Sequence, residues 1–156
     1  MCFDLELQNP PGGIVGMRIS DDVAAAARRE MAKLGMLTPD VPPDEPAPED
    51  YGTTSVRIDS YLDSGGTEVP PDLEPFVDAL HDLFDSQGEN PTGIPCYKLI
   101  TRDGWLVTPD EITAALGCWT AASQEHRDGV RSSLTWWSEW ISFLQRASEH
   151  GGFRVW

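Results

Sequence analysis

The chain has 156 residues, a net charge of −15 and a 40% share of hydrophobic residues, proportions that suit one globular domain with a real core and argue against disorder. The charge argues against direct nucleic-acid binding, which draws its affinity from Lys and Arg on phosphates. No segment nears the roughly 18 consecutive apolar residues that a membrane-spanning helix needs, so no membrane partner is expected.

The first residues, Met1-Cys2-Phe3-Asp4-Leu5-Glu6, place acids where a secretory leader needs a basic region and an apolar run, so a cytoplasmic protein is expected. Cys2, Cys96 and Cys118 form neither a C-x-x-C motif nor a disulfide framework. Nine arginines against two lysines, with abundant Ala, Gly and Pro, fit a GC-rich bacterial or phage genome.

The charge is uneven. Residues 1–33 and 98–156 each carry a net charge of −1, whereas 34–97 hold fourteen acids and one arginine, Arg57, for −13. Such a block either coats a solvated face or forms an acidic docking surface for a basic partner.

In chain order, Phe3, Leu5 and Leu7 alternate with Asp4 and Glu6, which predicts a strand with one wet face. The turn Asn9-Pro10-Pro11-Gly12-Gly13 leads to a second strand, Ile14 to Ile19, as its hairpin partner. Ser20 is an N-cap for a helix running to Leu34, with Asp21 and Asp22 in its first turn. Residues 37–53, with five prolines and five acids, predict an exposed acidic loop. Val56-Arg57-Ile58 suggests a short strand before a turn at Ser64-Gly65-Gly66. Leu73, Phe76, Val77, Leu80, Leu83 and Phe84 follow helical spacing and predict a helix over 72–86. Tyr97–Thr101 and Trp105–Thr108 flank Arg102-Asp103-Gly104 as a hairpin. Thr108-Pro109-Asp110-Glu111 is a capping box opening a helix that buries Ile112, Leu116 and Trp119. A last helix carries two stripes, Val130-Leu134-Trp137-Ile141-Leu144 and Trp136-Trp140-Phe143-Ala147, ends at Gly151, and precedes a strand over 153–156. The sum is a single α+β domain over 1–156, a mainly antiparallel sheet with about four helices on one face.

Motifs that carry chemistry are sparse. Asp78, His81 and Asp85 share one side of the 72–86 helix and make an N/O set that suits a divalent cation. No second ligand group is identifiable elsewhere, so the set reads as a solvated face and no metal or cofactor is expected. Cys2 would hold nucleophile and base in one residue if Met1 were removed, but it sits at a strand edge where a small apolar residue is ordinary. Glu125-His126-Arg127-Asp128 reads as a solvated connection. No phosphate loop or nucleophile elbow occurs.

These observations favour a non-enzymatic binding protein, of the inhibitor, immunity or phage- or defence-associated adaptor kind, docking a basic protein. Asp44, Glu45, Glu49, Asp50, Asp78, Asp82 and Asp85 are the expected contacts, with Trp136 and Phe143 as half-covered aromatic anchors at the edge of the last helix. The alternatives are a small enzyme using carboxylates and His81, and a small-molecule binder with a pocket built from Trp105, Trp119 or Trp140.

Overall fold

In the computed structural model, which describes residues 1–13 and 16–156, the opening alternation becomes strand β1, Cys2–Leu7, and Gly16–Ser20 becomes β2, its antiparallel partner. Phe3, Leu5 and Leu7 are buried while Cys2, Asp4 and Glu6 face solvent, as a two-residue period requires. Ile14 and Val15 of the expected second strand lie outside the described residues. Helix α1, Asp21–Lys33, starts where Ser20 Oγ accepts a hydrogen bond from Val23 N at 3.4 Å.

Beyond α1 lie β3, Leu37–Thr38, a 3-10 turn at Pro48–Tyr51, helix α2, Ser55–Asp63, and helix α3, Glu74–Phe84. Then come β4, Ile94–Pro95, α4, Cys96–Ile100, β5, Leu106–Val107, and α5, Pro109–Ala121. The chain finishes with α6, Gln124–Ser133, α7, Trp137–Glu149, and β6, Phe153–Val155. The class is α+β, with seven helices among the described residues where about four were expected.

Each surplus helix has an identifiable cause. Val56-Arg57-Ile58 lies in α2 rather than a strand, because Thr54 Oγ1 accepts from Arg57 N at 3.2 Å and opens a helix there. Tyr97–Thr101 is not a hairpin strand. It forms α4, since the Lys98 side chain is drawn inward to a carboxylate and β5 pairs with β6 instead. The last helix is two helices, broken at Leu134, where φ is −121° and ψ 90°. Ser132 Oγ turns back onto Asp128 O at 2.9 Å, and Ser133 and Thr135 are weak helix formers, so the run Ser-Ser-Leu-Thr ends α6. The 125–128 run is accordingly the first part of α6, capped by Ser123.

The stretch 37–53 is likewise not one loop. It begins with β3, which pairs in parallel with β4, and ends in the 3-10 turn, which Gly52 closes at φ 73°.

By its contacts the chain comprises two compact units. The first comprises Met1–Val41 and Gln87–Trp156. Its antiparallel sheet has the order β2-β1-β6-β5, with Leu5 opposite Val155 and Leu7 and Val107 opposite Phe153. The buried face of that sheet joins Ala27 and Met31 of α1, Ile112 and Ala115 of α5, and Trp140 and Leu144 of α7 in one core cluster. Aromatic rings lock the helices: Trp119 meets Trp137 edge-on at 5.5 Å, and Phe143 meets Phe153 at 5.2 Å. Such pairs contribute about 0.5–1.5 kcal/mol beyond the area they bury.

The second unit is Pro42–Ser86, which holds the 3-10 turn, α2 and α3. Leu73 and Phe76 are its buried apolar side chains, while Val77, Leu80, Leu83 and Phe84 are half-buried. Tyr51 meets the Phe76 ring edge-on at 6.2 Å and ties the 3-10 turn to α3.

Candidate functional site

The Pro42–Ser86 unit concentrates the charge. It contains twelve acids and a single Lys or Arg, Arg57, for a net charge of −11 in 45 residues. All twelve carboxylate residues are exposed, including Asp44, Glu45, Glu49, Asp50, Asp78, Asp82 and Asp85. Helical periodicity produces this on α3: burying Phe76 turns Glu74, Asp78, His81 and Asp82 outward. The 3-10 turn does the same for Glu49 and Asp50, its two central residues.

The unit's lone arginine is engaged within the unit. Arg57 Nε donates to Asp72 Oδ2 at 2.8 Å and its second guanidinium arm donates to Asp72 Oδ1 at 3.1 Å, a bidentate pair between α2 and the turn before α3. The carboxylates of the unit are exposed, and the reach of their field is set by salt, about 8 Å at physiological ionic strength.

Asp78, His81 and Asp85 are exposed on α3, and among the described residues no group of three or more His, Cys, Asp or Glu side chains is placed to hold a metal ion. A scan of family models, a comparison with curated proteins and a comparison with solved structures found no match to this chain.

The aromatic anchors separate. Phe143, expected at a half-covered edge, is only 2% exposed, because it stacks on Trp140 at 5.9 Å and packs against Phe153 of the sheet. Both stripes run through α7, where Trp137, Trp140, Ile141, Phe143, Leu144 and Ala147 are all buried, so the whole apolar arc is covered and not its centre alone. Trp136 is half-buried at the start of α7, tilted against Trp137 at 6.1 Å. Trp105, Trp119 and Trp140 are buried; Trp140 lines a cavity of about 20 Å³ with Leu5, Met31 and Leu99, room for one water rather than a small molecule.

One ionic cluster escaped the sequence reading. Lys98 Nζ donates to Glu111 Oε1 at 2.8 Å, to Glu111 Oε2 at 3.1 Å and to Leu106 O at 2.7 Å, with both side chains sealed from solvent. Glu111 Oε2 also accepts from Thr108 N at 2.9 Å, so the capping box and the ion pair share an atom. Thr108 Oγ1 in turn donates to Gln87 Oε1. Burial, then the Glu111 carboxylate, then Asp40 raise the Tyr97 hydroxyl above its ordinary pKa. The available signal was Lys98 itself, one of two lysines, set inside the apolar run Tyr97-Lys98-Leu99-Ile100. The cluster clamps α4 and β5 onto the start of α5.

Proposed function

We propose that the protein is a cytoplasmic, non-catalytic binding protein, of the inhibitor, immunity or adaptor kind, whose Pro42–Ser86 unit docks a basic protein partner. The observation that carries this reading is the exposure of all twelve carboxylates in a unit whose one arginine is already paired to Asp72. An acidic surface of this kind accelerates encounter with a cationic patch and rejects acidic competitors. The same field repels nucleic acid. Trp136 belongs to the other unit and lies outside this reading.

The test compares the protein with a variant carrying Asp44→Asn, Glu45→Gln, Glu49→Gln, Asp50→Asn, Asp78→Asn, Asp82→Asn and Asp85→Asn. Host proteins captured at low salt are eluted with high salt and identified. The expected partner has a Lys/Arg-rich surface, and its association rate with the variant falls about tenfold or more. Equal capture by both proteins, or a partner without a basic surface, would overturn the reading.

A further inference from the structure

Between α1 and α6 runs an open groove of about 490 Å³ that gathers cations in a chain of net charge −15. Those cations are Arg29 and Lys33 of α1, and His126 of α6 lies beside them. Glu30, the one acid lining it, has a side chain only 15% exposed, and both of its oxygens are taken: Oε1 lies 3.5 Å from His126 Nε2, and Oε2 accepts from Lys33 Nζ at 3.2 Å. Glu30 therefore positions the imidazole and the ammonium, and no ion pair joins it to Arg29 among the described residues. Arg29 makes no hydrogen bond or ion pair among the described residues, so its planar fork of donors stays open toward the groove. Val130, buried, and Leu134, half-buried, supply an apolar wall.

The volume falls in the range of small-molecule sites, and the lining combines apolar surface with a few convergent polar groups. A guanidinium fork matches the two oxygens of a carboxylate better than a point charge does. We infer that this groove binds a small carboxylate with an apolar body, its head on Arg29 beside His126 and its body against Val130 and Leu134. This site is independent of the acidic unit and would stand or fall separately from the docking reading.

The experiment is an NMR titration of the full chain with 3-phenylpropionate, with its neutral counterpart 3-phenylpropanol, and with inorganic phosphate. Saturable shifts are expected for the amides of Arg29, Glu30, Gly129 and Val130 with 3-phenylpropionate, and binding of the other two is weaker by about tenfold or more. Arg29→Gln, an exposed substitution that keeps the helix, should lose a similar factor, and His126→Gln a smaller one. Equal binding of the alcohol, equal binding of phosphate, unchanged affinity in Arg29→Gln, or shifts located away from α1 and α6 would each overturn the assignment.

Discussion

Lys98 Nζ and Glu111 Oε1 lie 2.8 Å apart with both side chains excluded from solvent. Removing one charge from such a pair strands the other in a poorly solvated site, at a cost of about 3–5 kcal/mol, whereas removing both with matched volume is close to neutral. Glu111→Gln should therefore lower the urea midpoint sharply, and Lys98→Met combined with Glu111→Gln should recover much of the loss. A double variant as unstable as the single one would show that the hydrogen bonds, not the charge balance, hold this corner together.

Tyr97 gives the protein an alkaline signature. Its hydroxyl is raised above the ordinary value of 10.0 by burial and by the nearby Glu111 and Asp40 carboxylates, so near that pH the folded chain retains a proton that the unfolded chain releases. Stability from this group is complete below pH 10.0 and declines as pH rises through the folded value. Equilibrium unfolding between pH 9 and 11 should show that decline (a range of roughly one unit either side of tyrosine's ordinary pKa), and Tyr97→Phe should flatten it.

Gly104 has a φ of +78°, and a Cβ built there would collide with the Trp156 ring, whose indole N–H donates to Glu6 Oε2 at 2.9 Å. Gly104→Ala meets both a left-handed backbone penalty of about 1–2 kcal/mol and the displaced indole. In a Trp156→Ala background only the backbone part remains. Thermal melts of the four proteins should give a coupling clearly different from zero; additive effects would place the indole elsewhere.

On α3, Asp78 lies four residues after Glu74 and four before Asp82, so one substitution relieves two like-charge pairs. Each is unfavourable by about 0.2–0.5 kcal/mol. Asp78→Asn should stabilise the protein at low salt, and the gain should vanish near ~1 M salt, where the screening length is ~3 Å. Helix content followed by circular dichroism during urea unfolding measures it.

What could be read from sequence was whatever local chemistry decides. The alternation in β1, the capping box at Thr108 and Glu111, the stripe on α3 and the left-handed Gly151 all follow from residues within a few positions of one another. Strand pairing and short elements were harder. Five residues such as Cys96–Ile100 fit either period, and the deciding contact, Lys98 to Glu111, spans thirteen positions. β5 finds β6 rather than its neighbour in sequence, which no turn motif reveals. The acidic stretch was legible as charge and α3 as a stripe, but the 3-10 turn is held by the distant Tyr51–Phe76 contact, and the short α2 passed for a strand despite its local Thr54 cap. The α1–α6 groove went unseen because Glu30 and His126 are 96 positions apart.

β1 is flanked by β2 on one side and by β6 on the other, and Leu7 waits for Phe153. A chain emerging from the ribosome at ~5–20 residues per second thus carries that flank of β1 unsatisfied for about 7–30 s. Throughout that interval the apolar residues of β1 are open to strands of other nascent chains, the hazard that bare sheet margins always bring. The carboxylate-rich middle segment has already been synthesised by then, and a net charge far from zero opposes the association of such chains.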